Sequence, residues 1–165
     1  MIIRSESPAD VSAIRLVTDA AFLDVEHSSR TEAAIVDALR HAGALTLSLV
    51  AEQDGRIIGH AGFSPVQIGG HDTHWFGLGP VSVLPDLQRS GVGTALIEEG
   101  LRQLRRRGAE GCVVLGDPRY YARFGFTNHQ ALRYGDVPPE YFQSLSMSGA
   151  APKGEVAYHR GFEAS

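Results

Sequence analysis

The chain has a single cysteine, Cys112, among its 165 residues. One cysteine cannot form an internal disulfide, which is typical of proteins in a reducing compartment. It lies in the apolar run GCVVLG. We expect a small buried side chain there and not a catalytic thiol, because a reactive thiolate needs an accessible, electropositive setting.

The chain also lacks any hydrophobic run near the roughly 18 residues that a helix needs to cross a bilayer. Its N-terminus, MIIRSESPAD, does not have the basic-then-apolar pattern of a signal peptide. We therefore expect a cytoplasmic protein with no membrane partner.

Positive charge is scarce, since 15 Lys and Arg residues against 19 Asp and Glu residues give a net charge of −4. A nucleic-acid backbone needs a clustered basic face, so nucleic acid is not an expected partner. Hydrophobic residues at 43% and charged residues at 21% are normal for a soluble globular protein. The length predicts one domain over residues 1–165.

Hydrophobic periodicity predicts a strand and two helices in the first quarter of the chain. Ile2–Ser5 is a strand candidate, and Pro8 opens a helical pattern. Ser29 and Glu32 match an S-x-x-E capping box, which predicts where the second helix starts, and Gly43 predicts where it ends.

From Thr46 onward the pattern is that of strands. Asp54-Gly55 separates two β-type runs and is a strong hairpin signal, and a third run follows Gly69-Gly70. A helix ending near Arg107 and the apolar run CVVL then predict a buried strand parallel to its neighbour.

The remaining chain predicts a short helix near residues 118–124 and a last strand near residues 156–159. This order of elements predicts an α/β (α+β) single domain, with a mixed, mostly antiparallel central sheet and helices on both faces.

Pro80 interrupts the third strand run. Proline cannot donate to a sheet ladder, so we expect the strand to part from a neighbour near Gly79-Pro80. Backbone groups left by such a parting can pair with an extended ligand that carries amides. An irregular strand end is the alternative interpretation.

The segment LPDLQRSGVGTAL leads from this strand into a helix. Gly91 and Gly93 allow close approach of the backbone to a ligand, and the first N–H groups of a helix bind anions. Arg89 adds a positive charge, while Ser90 and Thr94 add hydroxyl donors. A pyrophosphate suits this segment, although the glycines alone are also explained by a tight turn.

With the later segment YYARFGF, this stretch resembles the GNAT superfamily of acetyl-CoA-dependent N-acetyltransferases. The family signature Q/R-x-x-G-x-G/A matches residues 88–93, and the closing Y-x-x-x-G-F matches residues 121–126. The resemblance implies a splayed parallel strand pair, acetyl-CoA as cosubstrate and no metal. It implies these cofactor-binding residues: Val81, Ser82, Val83, Gln88, Arg89, Ser90, Gly91, Val92, Gly93 and Thr94.

The resemblance also implies a mechanism in which a neutral amine attacks the thioester directly in a ternary complex. A backbone N–H near Val83 would stabilise the oxyanion. Tyr121 matches the family's acid, which protonates the departing thiolate, and Tyr120 is the second choice.

The general base has no match on the strand before the loop, where the chain has Gly79 and Pro80. The candidates are Glu26, His27, His60, His71 and His74, and each of them is also explained as a surface or turn residue. The pair His71 and His74 lacks the further ligands of a metal site. Asp117, directly before Pro118, is better explained as a helix N-cap.

The predicted function is acetyl transfer to a primary amine on a small molecule or a peptide. A non-catalytic acyl-CoA-binding regulatory module and a transferase for a longer acyl group remain alternatives. Residues 22–30 and 134–146 are the expected acceptor walls, with Tyr134, Tyr141 and Phe142 as candidate contacts. An exposed final strand would allow a homodimer. The arginines at 105–107 suit a solvated helix end better than a contact to the CoA 3′-phosphate.

Overall fold

The order of helices and strands matches the sequence prediction. This computed structural model describes residues 1–26, 28–149 and 152–165. The strands are β1 (Ile2–Ser5), β2 (Leu47–Gln53), β3 (Arg56–Ile68), β4 (His71–Val83), β5 (Gly111–Leu115), β6 (Leu132–Arg133), β7 (Phe142–Ser146) and β8 (Gly154–Tyr158). The α-helices are α1 (Val11–Phe22), α2 (Glu32–His41), α3 (Val92–Arg106) and α4 (Pro118–Tyr121).

Hydrogen-bonded neighbours in the sheet follow the order β1-β2-β3-β4-β5-β7, and β8 pairs with β3 and β6. The pairs β4–β5 and β6–β8 are parallel, while β1–β2, β2–β3, β3–β8 and β5–β7 are antiparallel. The predicted mixed α/β fold with a mostly antiparallel sheet is confirmed.

The contacts between Cα atoms divide the chain into two compact units. The first contains Met1–Phe63, Gly79–Gly100 and Arg160–Ser165. In it, Asp54 and Gly55 both have positive φ, as a two-residue hairpin turn between β2 and β3 requires.

Helices cover both faces of the sheet in this first unit. On one face Val50 of β2 packs in a cluster with Ile14 of α1 and Val36 of α2. On the other face α3 approaches β3 closely, because a Cβ placed on Gly59 would lie 3.0 Å from Val92 and 3.1 Å from Leu96. This agrees with the expected helices on both faces.

The second unit contains Ser64–Leu78 and Leu101–His159. Its core includes Trp75 on β4 and Val113 on β5, with Phe142 on β7. Gly111 opposite Trp75 has no side chain, and a Cβ there would lie 2.4 Å from the indole ring. The parallel pair β4–β5 is therefore closely packed where it begins.

The capping box predicted for α2 is wrong. The helix begins at Glu32, three residues after Ser29, and Thr31 is its N-cap residue. The Glu32 carboxylate accepts a hydrogen bond from the Ser28 hydroxyl at 2.6 Å. The Ser29 hydroxyl instead contacts the Thr31 hydroxyl. The end at Gly43, with φ of 69°, is as predicted.

The final strand, predicted near residues 156–159, is β8. Val66–Ile68 of β3 pair with Val156–Tyr158, and Leu132–Arg133 of β6 pair with Gly154–Glu155. A homodimer through this strand stays a prediction. In the part of the chain that the structure describes, no helix has the length and apolarity to span a bilayer.

Candidate active site

The loop at residues 88–91 (the glycine loop) is exposed and depends on two backbone conformations with positive φ. Arg89 has φ of 63° and Gly91 has φ of 95°. A one-turn 3₁₀ helix, Pro85–Leu87, precedes the loop, and the Ser90 hydroxyl donates to the Leu87 carbonyl. The loop thus turns sharply into α3 while its side chains remain in solvent.

The start of α3 directs backbone donors out of the helix end. Ala95 N–H donates to Gly91 C=O at 3.0 Å, and the N–H groups of Val92 and Gly93, which precede this bond, point out of the end of the helix. No heavy atom lies within 4 Å of a Cβ placed on Gly91. The helix dipole adds positive potential here, and Arg89 adds a full charge. These features fit a bound phosphate.

Strand β4 changes its pairing at Pro80. Its parallel pairing with β5 runs from Trp75 to Leu78, which lies opposite Val114, and ends one residue before Gly79-Pro80. The parting expected from the proline is confirmed at that position. The strand itself continues to Val83.

Beyond Pro80, alternate residues of β4 turn their backbones to opposite sides. Leu84 N–H donates to Ile58 C=O of β3 at 3.0 Å. Because backbone groups alternate along a strand, those of Ser82 also face β3, whereas those of Val81 and Val83 face away from it. The Gln88 side chain donates to the Val83 carbonyl at 3.2 Å and so connects the glycine loop to the strand.

Tyr121 is the last residue of α4, and its ring is half-buried among other aromatic rings. Its centroid lies 5.0 Å from Tyr120 and 5.9 Å from Phe126, both in edge-on geometry. Gly116 makes room for the ring, since a Cβ there would lie 2.3 Å from Tyr121 Cε2. Burial raises the pKa of Tyr121 to about 12, so the phenol keeps its proton at neutral pH.

Asp117 is the N-cap of α4, as predicted. Its carboxylate accepts from the Arg119 backbone N–H at 2.9 Å. The hydrogen bonds from Arg119 lower the pKa of this exposed carboxyl group. Asp117 therefore stabilises the start of α4, which agrees with its interpretation as an N-cap and not as a catalytic base.

The five candidate bases differ in burial. Glu26, His71 and His74 are exposed, which agrees with their interpretation as surface or turn residues, and His27 lies outside the described residues. For His60 that interpretation is wrong, since its side chain is 0% exposed. The alternation of β3 turns this ring inward, into the face covered by α1 and α2.

A chain of polar contacts connects His60 to the surface (the buried polar chain: His60, Ser48, Glu6 and Arg40). His60 Nε2 lies 2.8 Å from Ser48 Oγ, and the Ser48 hydroxyl donates to the Glu6 carboxylate. Arg40 donates to both carboxylate oxygens of Glu6, at 2.8 and 3.0 Å. No sequence pattern predicted a role for Glu6, Ser48 or Arg40. The available signal was a serine and a histidine within otherwise apolar strand runs.

The pKa values of this chain favour a neutral histidine beside a carboxylate. Burial lowers the pKa of His60 to about 4, more than the nearby Glu6 charge raises it. Burial raises the pKa of Glu6, but hydrogen bonds from Arg40 and Ser48 outweigh this, and the pKa is lowered overall. At pH 7 His60 is therefore uncharged and Glu6 is ionised.

Cys112 and the arginines at the end of α3 have the structural roles expected of them. Cys112 is fully buried on β5, and burial raises the pKa of its thiol far above the ordinary value, so no thiolate forms at neutral pH. Arg105 and Arg106 are exposed in the last turn of α3. Within residues 1–26, 28–149 and 152–165, no three His, Cys, Asp or Glu side chains cluster as metal ligands would.

Comparison with known proteins assigns the family. Residues 13–126 match the model of the acetyltransferase (GNAT) family. The chain is 41% identical over 127 residues to the uncharacterised N-acetyltransferase YhbS of Escherichia coli K12, covering 76% of this chain and 73% of that protein. The chain belongs to the GNAT acetyltransferase family.

Two solved structures share the whole fold. A GNAT family acetyltransferase from Brucella melitensis, in complex with acetyl-CoA, is 55% identical with a TM-score of 0.88, covering 98% of this chain and 97% of that one. YhbS from Escherichia coli, in complex with CoA, is 36% identical with a TM-score of 0.87, covering 98% and 91%. The predicted family, fold and N-acetyltransferase activity are confirmed.

Proposed function

We propose that this N-acetyltransferase transfers the acetyl group of acetyl-CoA to a primary amine by direct attack in a ternary complex, with residues 1–165 acting as one domain. The observation that carries the proposal is the open start of α3 beside Arg89. The relatives from Brucella melitensis and Escherichia coli, which bind acetyl-CoA and CoA, support it.

The glycine loop and the first turn of α3 would hold the pyrophosphate. Arg89 supplies a charge, and the N–H groups of Val92 and Gly93 supply oriented donors. Ser90 donates to a backbone carbonyl within the loop, so its contribution is to the shape of the loop. Gln88 and Thr94 complete the segment that the family signature assigns to the cofactor.

Val81 and Val83 would pair with the amides of the pantetheine arm, because their backbones face away from β3. An extended ligand bound there adds to the sheet as a strand would. The Val83 N–H would stabilise the negative charge that develops on the thioester oxygen. Ser82 lies between them with its backbone toward β3, so it is the weakest of the three cofactor contacts.

Tyr121 would protonate the departing CoA thiolate. A phenol with its pKa raised to about 12 is fully protonated at pH 7. Because a thiol is a stronger acid than this phenol, Tyr121 would act mainly by donating a hydrogen bond that stabilises the charge on the departing sulfur, and any proton it gives is regained from solvent. Tyr120, directly beside it, is the alternative donor.

The acceptor would be an amine on a small molecule or a peptide that is cationic in solution and gives one proton to solvent before it attacks as the neutral amine. Within residues 22–30, a surface depression is lined by Asp24 and Glu26, both exposed. Within residues 134–146, Tyr134 and Phe142 stack at 5.7 Å and line a cavity of about 300 Å³. Carboxylates and aromatic faces both attract ammonium groups. A cytoplasmic location and a homodimer stay predictions.

Calorimetric titration with acetyl-CoA and CoA tests the cofactor site. We expect binding to the wild type, weakened by Arg89→Ala and abolished by Gly91→Trp, which fills the open backbone of the glycine loop. Arg106→Ala is the matched control, because it removes an exposed arginine from the other end of α3. Circular dichroism verifies that each variant is folded. Absence of binding to folded wild-type protein would overturn the proposal.

A screen of primary amines with acetyl-CoA, read as CoA release and as acetylated product, tests the reaction. The panel includes polyamines, amino sugars and short peptides with free N-termini. Acetylated product supports the transferase. Binding of acetyl-CoA without turnover would favour a regulatory acyl-CoA-binding module, and faster turnover with longer acyl-CoA would favour a different acyl donor.

A further inference from the structure

Hydrogen bonds determine which nitrogen of the buried His60 ring carries a proton. The Ser48 hydroxyl donates its single proton to the ionised Glu6 carboxylate, which Arg40 pairs. Ser48 Oγ must then accept its contact with His60 Nε2 at 2.8 Å, so Nε2 is the protonated nitrogen. The other nitrogen, Nδ1, therefore carries the lone pair and is available as a base.

His60 Nδ1 and Ser82 Oγ are buried polar atoms with no hydrogen-bond partner among the described residues. His60 is 0% exposed and Ser82 is 1% exposed. The hydrogen bond from Leu84 to Ile58 pairs those two residues, so two positions further along these antiparallel strands His60 lies opposite Ser82. Opposite side chains on one face have Cβ atoms roughly 5 Å apart.

A third polar group lies near the His60 ring. A Cβ placed on Gly62, next on the same face of β3, lies 3.7 Å from His60 Cε1, 3.5 Å from the Gly79 carbonyl oxygen and 3.1 Å from Leu45 Cδ1, so Leu45 packs against this position. His60 Nδ1, the Ser82 hydroxyl and this carbonyl give three polar groups. Buried waters typically make about three hydrogen bonds to such otherwise unsatisfied groups.

We propose that a water held between His60 Nδ1 and Ser82 Oγ takes the proton of the acceptor amine and passes it to His60, which thus serves as the general base. The proposal rests on the proposed function. It follows from position as well as chemistry, because Ser82 lies between Val81 and Val83, the residues assigned to the pantetheine arm. The amine must approach the thioester at this strand.

The proton balance of the reaction is complete with these groups. The amine nitrogen forms a bond to the acetyl carbon and loses one proton to the water, which gives a proton to His60 Nδ1. The carbon–sulfur bond breaks with its electron pair on sulfur, and the thiolate takes a proton from Tyr121. His60 Nε2 releases its proton through Ser48 to Glu6 as Nδ1 gains one. After the product leaves, Nδ1 gives its proton through the water to solvent, Glu6 returns a proton to Nε2 through Ser48, and Tyr121 regains a proton from solvent.

Transfer through the buried polar chain avoids a lasting buried imidazolium. Burial disfavours the charged ring, which is why the pKa of His60 is lowered. Glu6 faces the ring through Ser48 and favours the charge, whereas Arg40 of α2 opposes it. Because Nε2 gives up its proton toward Glu6 as Nδ1 gains one, the ring need not hold both.

The tautomer is measured first, by ¹⁵N–¹H correlation spectra of the histidine rings at pH 7 in the CoA-saturated protein. We expect His60 to carry its proton on Nε2 with an unprotonated Nδ1, and we expect Ser48→Ala to mix the two tautomers. A proton on Nδ1 of the wild type would overturn the proposal. This measurement needs no acceptor, so it is decisive even if no amine is acetylated and the proposed function fails.

Kinetics with the best amine of the panel then measure the transfer itself. His60→Gln and Ser82→Ala should lower kcat, the former by on the order of 10²-fold, while KM for acetyl-CoA stays within about twofold. The control is Ser64→Ala, which removes a different buried serine hydroxyl, on β3. If His60→Gln and Ser82→Ala have the same kcat as this control, the proposal is wrong.

Discussion

The glycine loop and the buried polar chain differ in the exposure of their polar groups and in how far apart in sequence the interacting residues lie. In the loop, Arg89 is exposed, and the anion site consists of backbone N–H groups whose direction follows from local φ values. In the buried polar chain, His60 is fully buried, and its hydrogen-bond network consists of side chains from β2, α2 and the segment after β1. One site is formed by neighbours in sequence, and the other by residues up to 54 positions apart.

This difference decides what a substitution costs. An exposed side chain returns to water when its partner is removed, so stability changes little. A buried group that loses its partner keeps the full desolvation penalty. We therefore expect substitutions in the glycine loop to alter ligand binding, and substitutions in the buried polar chain to alter stability as well as turnover.

The largest expected effect is that of acid on the buried polar chain. The pKa of His60 lies near 4 in the folded protein against an ordinary 6.5, so the unfolded chain binds the proton first. The stability that depends on His60 is complete above pH 6.5 and falls as pH drops from 6.5 to 4, by about 3 kcal/mol.

Urea unfolding at pH 7 and pH 4 measures this loss. His60→Gln is the comparison, because it retains Glu6 and the other carboxylates that titrate in the same range. We expect a smaller difference between the two pH values in His60→Gln than in the wild type. Equal differences would contradict the assignment of the loss to His60.

Tyr121→Phe should have the next largest effect. It removes the proton donor but keeps the aromatic ring, and so it separates proton donation from packing. The ring and its aromatic neighbours remain, so stability and acetyl-CoA affinity should be close to wild type. Loss of the donor should lower kcat on the order of 10²-fold, measured by CoA release with the best amine of the panel. Tyr120→Phe is the matched control, and a larger loss of kcat in that variant would move the role to Tyr120.

Ser48→Ala against Ser90→Ala compares the two regions directly, since each removes one hydrogen-bonded serine hydroxyl. We expect Ser48→Ala to lower the free energy of unfolding by about 1–2 kcal/mol, because His60 and Glu6 lose their shared partner. Ser90→Ala should change it by less than about 0.5 kcal/mol. Similar losses in urea unfolding would remove the distinction between the regions.

Arg89→Ala should have the smallest effect on stability, within about 0.5 kcal/mol, because its side chain is exposed and the loop backbone is unchanged. Its affinity for acetyl-CoA should fall on the order of tenfold, the loss expected for one charged contact to phosphate. Thermal unfolding with and without acetyl-CoA measures both quantities. A lower unfolding temperature of Arg89→Ala in the absence of ligand would mean that Arg89 stabilises the fold.

Local signals in the sequence predicted much of the fold and one half of the candidate site. Asp54-Gly55 predicted the hairpin, Pro80 the parting of β4 from β5, and Asp117 the start of α4. Each of these depends on the backbone properties of one or two residues. The α2 capping box failed because Ser29, Thr31 and the neighbouring Ser28 are all suitable N-cap residues, and only the folded turn places Thr31 at the N-cap.

The sequence by itself determined the family, the order of helices and strands and the position of the glycine loop, because periodicity and glycine and proline placement act over a few residues. Tertiary structure alone decided that His60 is buried and that Ser48, Glu6 and Arg40 connect it to the surface. It also decided that β8 pairs with β3 along one part of its length and with β6 along another. These features depend on contacts between distant segments, and a buried polar group must find its partners wherever the packed chain provides them.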